Sequence, residues 1–404
     1  MTGTTRFNFD AVISRQGTHS EKWDGRQQQF GNANICPLWV ADMDFASPPC
    51  VVEALQARAL HPIYGYTQHP SSLFSAVIGW LERRHHWQIT QDWILMVPGV
   101  VTALHAAALA LVPENAGIIV QPPVYFPFFS SVTKTQRKLL LNPLQLQNGH
   151  YTIDFAQLKQ LAPEAHMIVL CSPHNPVGRV WQKFELLQLL RIAKHHNLLI
   201  FSDDIHADLI LPGHQHQMLA ALVTDPDCAE FAEFINTNVI TAVAPSKTFN
   251  IPGLSLSSLI VPNPELRKKL QNTLGLLHIG IFNPFSIAAC EAAYTHGDDW
   301  LDALMLYLNN TKHRVADYLI KNLPQIKLIE PQGTYLLWLD CRALNLDDKQ
   351  LQRFFIEDCG LGLSPGVIFG EAGQGFMRLN MGAPQSLIME ALDKVAAALQ
   401  KLGG

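Results

Sequence analysis

The sequence is thin in charge. Only 16% of its 404 residues are Asp, Glu, Lys or Arg, and the formal net charge is −5. No basic block occurs, which argues against a nucleic-acid partner. No uninterrupted apolar run approaches the ~20 residues that a membrane helix requires, so no membrane span is expected. The seven cysteines (36, 50, 171, 228, 290, 341 and 359) include no CxxC pair. An odd, unpatterned set reads as reduced thiols in a cytoplasmic protein. Met1–Asp10 is polar and mixed in charge, which predicts no signal peptide. There is no internal repeat and no low-complexity stretch. The histidine-rich spots His85-His86, His195-His196 and His214-Gln215-His216 lack carboxylate or cysteine partners at ligand spacing. They read as solvated helix or loop residues, and no metal site is expected.

What is present is apolar: 48% of the residues are hydrophobic, the profile of a well-packed enzyme. The length suggests two domains. Helical and strand patterns alternate through the first two thirds, which predicts an α/β fold, a mostly parallel mixed sheet flanked by helices. Helices are predicted at 51–60 and 100–111, and strands at 118–121, 167–171, 198–202 and 239–243. A long amphipathic helix at 298–322 leads to strands at 326–329, 334–339 and 375–380 and helices at 346–357 and 386–402. That tail reads as a smaller α+β domain. The predicted division is 1–48 as an N-terminal segment packing with the small domain, 49–290 as the large domain, and 291–404 as the small one.

The candidate site residues follow predicted strands, where open α/β sheets bind ligands. Lys247 lies in Ala244-Pro245-Ser246-Lys247, directly after the apolar run Val239–Val243. Burial disfavours its ammonium form and makes the amine a nucleophile suited to Schiff-base formation with an aldehyde. Ser246 and Thr248 flank it with hydroxyls of the kind a phosphate needs. Together they suggest pyridoxal 5′-phosphate (PLP); a surface lysine is the plainer alternative. Gly99 opens the helix at 100–111, whose N-terminal amides and dipole favour an anion, with Thr102 as a further donor. Tyr125 is suited to stacking on a flat ring, whereas Phe126, Phe128 and Phe129 fit a core. Asn175 sits in the restricted loop Pro173-His174-Asn175-Pro176-Val177-Gly178, with an amide able to donate to a phenolate oxygen; a structural turn is the alternative. Asp203 ends an apolar strand and needs a partner, which a pyridinium N–H would supply. A helix N-cap is the alternative, favoured for Asp204. Arg378 lies in the apolar strand Phe376–Asn380 and calls for a carboxylate, either of a substrate or of an internal salt bridge.

In this order the segments resemble the fold type I family of PLP enzymes, the aspartate aminotransferase superfamily, and within it the MalY/PatB branch of cystathionine β-lyases, or C–S lyases. The motifs that carry the resemblance are Pro37-Leu38-Trp39-Val40-Ala41-Asp42-Met43-Asp44-Phe45, Tyr64-Gly65-Tyr66-Thr67, Pro173–Trp181, Ser202–His206 and Ser246–Ile251. The resemblance runs from about residue 20 to the C-terminus. It implies Lys247 as the Schiff-base lysine, Asp203 on the pyridine nitrogen, Asn175 on O3′ and Tyr125 stacked on the ring. It implies Val100 and Val101 amides and the Ser246 hydroxyl on the phosphate. Tyr66 would reach the phosphate of a neighbouring subunit, implying a homodimer with shared sites. Arg378 would clamp the substrate α-carboxylate, with Asn175 and Ala41 completing the substrate-binding set. His206 stands where many aminotransferases have a tyrosine, and Ser255 where they usually have an arginine; both agree with the lyase branch. Ala244 occupies a position often filled by a hydroxyl residue. The implied reaction is β-elimination from cystathionine or a related cysteine conjugate, giving a thiol, pyruvate and ammonia. An aminotransferase, and a PLP-binding regulatory protein with little catalysis, are the other readings.

Overall fold

A computed structural model describes residues 7–280 and 283–402. The outermost residues of the first and third predicted segments, 1–6 and 403–404, therefore lie outside the described residues. The strands that position the site are β1 (Ile94–Val97), β2 (Gly117–Val120), β3 (Lys138–Leu141), β4 (Ala165–Cys171), β5 (Leu199–Asp203), β6 (Val239–Val243) and β7 (Ser257–Ile260). They form one seven-stranded sheet in the order β1-β7-β6-β5-β4-β2-β3. All neighbours are parallel except β7, which runs antiparallel to β1 and β6. A parallel sheet is covered on both faces, so its strands read as continuous apolar runs. Here Ile168, Leu170 and Ile200 point into one core, while Met167, Val169 and Phe201 point into the other.

Helices α1 (Pro49–Leu60), α2 (Ser71–His85), α3 (Val100–Leu111), α4 (Lys183–His195), α5 (Pro264–Leu276) and α6 (Pro284–His296) accompany this sheet. The predicted helices at 51–60 and 100–111 are α1 and α3. Proline at the first or second position starts α1, α5 and α6, where a missing N–H is harmless.

Helix α7 (Asp298–Asn322) is followed by β8 (Lys327–Ile329), β9 (Leu336–Asp340), β10 (Ser364–Pro365), β11 (Phe376–Asn380) and α8 (Gln385–Leu402). These strands form a separate sheet in the order β8-β9-β11-β10. The chain before α1 joins this half: Cys36–Pro37 pairs in parallel with Leu361–Gly362. The helix predicted at 346–357 is shorter and broken. Asp348–Arg353 is α-helical, and Phe354–Asp358 then widens into a π-turn. Adjacent Phe354 and Phe355 are both buried there. No disulfide joins the cysteines among the described residues. Among the described residues no helix is long and apolar enough to cross a membrane.

Candidate active site

Strands β4, β5 and β6 end side by side, at Cys171, Asp203 and Val243. Their carboxyl ends face a cavity of about 190 Å³, whose lining includes Ala41, Val100, Val101, Thr102, Tyr125, Asn175, Asp203, His206, Ser246 and Lys247. The structure thus brings together residues up to 206 positions apart, as the Lys247 amine and the Ala41 carbonyl oxygen are (2.7 Å). Arg378 reaches the cavity wall from β11 and donates from Nη1 to Asn175 Oδ1 (3.1 Å). Tyr66 stays apart: it is almost fully exposed and is not among the residues lining this cavity.

Lys247 is half-buried. Burial is the main reason its amine is pushed down to about 8; Arg378 lowers it further, while Asp42 and Asp203 oppose. Asp203 is buried, and that burial pushes its carboxyl up to about 7. Its Oδ1 accepts from the Ile205 N–H (3.1 Å), and no ion pair reaches it among the described residues. His206 is buried and pushed down to about 3 by the same cause, so its ring is neutral. Among the described residues Arg378 forms no internal salt bridge. Nη1 and Nη2 donate to Asn175 Oδ1, Trp39 O (2.8 Å) and Ser364 Oγ, and Nε is buried without a partner. Leaving a buried guanidinium nitrogen unpaired is unfavourable, and an anion beside it would relieve that.

These features fit PLP. An uncompensated carboxyl faces the cavity for a ring N–H, and a depressed lysine amine is available for an aldehyde. The twelve-residue helix α3 turns its first amides to the same cavity for a phosphate. The Asn175 Oδ1 is taken by Arg378, so the amide end is the one left for a ligand oxygen.

Some expectations need correction. Asp204 caps no helix. Residues 205–208 are turns, and its carboxyl accepts from Ser202 Oγ (2.5 Å) and pairs with His216 Nε2 (3.0 Å). His216 and His85 are therefore not solvated: their side chains are buried, and His85 Nε2 lies 2.7 Å from Asp208 Oδ1. Both border a separate, larger hollow of about 750 Å³. No group of three metal-ligating side chains occurs among the described residues. Phe126 is exposed rather than core, unlike Phe128.

The sequence reading named the segment Pro37–Phe45 and Ala41 but not the strap that the segment forms. Every carbonyl from Leu38 to Met43 accepts a hydrogen bond from an element bearing site residues or bracing them. Asn380 N reaches Leu38, Arg378 reaches Trp39, and Asn380 Nδ2 reaches Val40 and Asp42. Lys247 and Tyr335 share Ala41, and Asn250 Nδ2 takes Met43. Beneath the strap lies a buried ion-pair cluster. Asp44 takes the fully buried Lys22 (2.6 Å), Arg15 (2.8 Å) and the Trp23 indole, and Arg15 also clasps Asp42. The partners are close in sequence but show no regular spacing, so no pattern announces them.

A profile of the family described as "Aminotransferase class I and II" matches residues 33–395. Cystathionine beta-lyase PatB of Bacillus subtilis (strain 168) is 41% identical over 394 residues, 97% of this chain and 100% of that protein. Protein MalY of Escherichia coli (strain K12) is 32% identical, covering 98% of this chain and 99% of its own length. The crystal structure of cystalysin from Treponema denticola, which contains a pyridoxal 5′-phosphate cofactor, superposes with a TM-score of 0.93 at 36% identity over 98% of this chain and 99% of that one.

Proposed function

The chain belongs to the class I and II aminotransferase family, and from that premise we propose that it is a PLP-dependent carbon–sulfur β-lyase, cleaving L-cystathionine or a related cysteine S-conjugate with water to a thiol, pyruvate and ammonia. The observation that carries this reading is the 41% identity, end to end, with a cystathionine β-lyase. The chemistry of the cavity agrees with it.

PLP supplies an aldehyde for the substrate amine and a ring that takes up the electron pair left when Cα loses its proton. The chain's residues do the rest. Val100 and Val101 amides and Ser246 would hold its phosphate, and Tyr125 would pack on its ring. Asn175 and His206 would hold its phenolic oxygen. Asp203 would partner its ring nitrogen and so keep that nitrogen protonated. Arg378, with Asn175 and the Ala41 backbone, fixes the substrate carboxylate and so aligns the Cα–H bond. Lys247 would hold the cofactor through its Nζ and would be the base for the Cα proton; a neutral fraction of amine near pH 8 suits both tasks.

The division at 48/49 and 290/291, a cytoplasmic location and a homodimer complete the reading. The separate sheets of the two halves support the division. The outward-facing Tyr66 supports a subunit that lends this residue to its neighbour.

The test is pyruvate release from L-cystathionine by purified protein, followed with lactate dehydrogenase, with and without a keto acid. A lyase gives continuous pyruvate without any acceptor, and Lys247→Ala abolishes both turnover and the visible absorbance of bound cofactor. Turnover that stops after one equivalent unless a keto acid is added would identify an aminotransferase instead.

A further inference from the structure

Tyr335 has no role in the reading above, yet it is buried on β9's approach to the site with its hydroxyl inside the machinery. It donates to the Ala41 carbonyl oxygen at 2.8 Å. The Lys247 amine donates to the same oxygen at 2.7 Å. Two donors on one oxygen compete, because each withdraws the electron density that the other needs. The position of the oxygen is itself fixed. Neighbouring carbonyls Trp39, Val40 and Asp42 are held by Arg378 and Asn380, and the Tyr335 carbonyl accepts from Met381 N. These bonds hold the strap between the two donors.

We propose that Tyr335 is a positioning residue for the reaction: by occupying the Ala41 carbonyl, it weakens that oxygen as an acceptor for the Lys247 ammonium and keeps the amine in its proton-accepting form. A carbonyl free of the phenol would stabilise the protonated amine and raise its pKa. The charged and titratable groups around Lys247 have other signs or other places. Asp42, Asp203 and Glu21 favour the ammonium and Arg378 opposes it. His206 is neutral beside it, and Tyr125 faces Tyr335 and Arg378. Among them Tyr335 alone bonds the acceptor that the amine itself uses. Burial holds the Tyr335 hydroxyl well above the ordinary phenol range, so it acts as a donor and not as an acid that ionises.

The inference rests on Lys247 being the amine that reacts with the cofactor. Its test reads that amine directly. Full-length protein freed of cofactor is mixed with PLP, and the rate of covalent uptake is followed by visible absorbance as a function of pH; the same variants are assayed as holoenzymes for the pH dependence of kcat. In Tyr335→Phe both midpoints should move up by about half a unit, making uptake about three-fold slower well below the midpoint, with KM little changed. The variant removes one hydroxyl. Should it nonetheless fail to fold, 3-fluorotyrosine placed at 335 keeps the ring and strengthens the donor, and its uptake midpoint should move down. Uptake midpoints that coincide with wild type would overturn the inference. If the wild-type chain takes up no PLP, it is the underlying reading that fails.

Discussion

A carboxyl group at the buried end of a strand ionises only against a free-energy cost unless a cation stands beside it. Asp203 is in that position, with its carboxyl pushed up to about 7 by burial. The sign of the consequence is fixed. The folded-state value lies above the ordinary one, so the fold favours the protonated form. Stability is therefore fully present below about pH 4 and is lost as pH rises to about 7. Asp203→Asn stays neutral throughout. In cofactor-free protein it should raise the melting temperature at pH 8 and change it little near pH 4, while turnover of the loaded enzyme falls. Calorimetry at the two pH values checks this; equal shifts at both would mean that Asp203 is already compensated. Residues of this kind were legible because each is a chemical anomaly in its local sequence: a charge at the end of an apolar run (203), just beyond one (247) or inside one (378). Tyr335 and Lys22 were not. An aromatic in an apolar stretch and a lysine in a polar one are unremarkable until the chain folds them onto Ala41 and Asp44.

Elements were legible in proportion to how much of their environment is local. The central strands β4, β5 and β6 are apolar on both faces and were read within about two residues of their observed ends. β1, β3 and β7 were not read. β7 begins with Ser257-Ser258, and Ser258 finds Met96 Sδ on the neighbouring strand. The loop after β4 shows how an element holds a functional side chain. Gly178 closes it at φ +69°, and a Cβ there would lie 2.9 Å from Pro331 Cβ and 3.2 Å from Gly333 O. Its N–H donates to His174 O, and its carbonyl accepts from Gln332 N. Gly178→Ala meets strain and overlap together and should destabilise by about 1–3 kcal/mol. It should also lower kcat/KM by moving Asn175. Gly149 has a similar φ of +80° but open space around its Cβ position, so Gly149→Ala should cost less and leave kcat/KM unchanged. Urea midpoints and steady-state kinetics of the pair separate backbone strain from displacement of the site; equal effects would remove the loop from the functional argument.

At the scale of the whole molecule, one surface does not suit a chain that works alone. Leu60 is 84% exposed, Ile63 68% and Tyr66 95%, within a single short stretch at the end of α1. Isolated exposed apolar residues are ordinary, but a run of them marks a surface that another protein covers. The stretch is not loose: the Tyr64 ring packs against Phe285 at the start of α6, and its hydroxyl donates to Ala59 O. It is thus presented on a firm base, as association with little rearrangement requires. If a second copy covers it, each Tyr66 leaves solvent and reaches the other subunit's phosphate-binding end, and quaternary structure and cofactor affinity become one property. Leu60→Asp combined with Ile63→Asp should convert a sedimenting dimer into a 45.0 kDa monomer and weaken PLP binding together, although neither residue lines the chain's own cavity. Tyr66→Phe should weaken cofactor binding and leave the dimer intact. Sedimentation velocity with parallel PLP titrations distinguishes these outcomes. A wild-type chain that sediments as a monomer with full activity would show that the exposed stretch serves something other than a second copy.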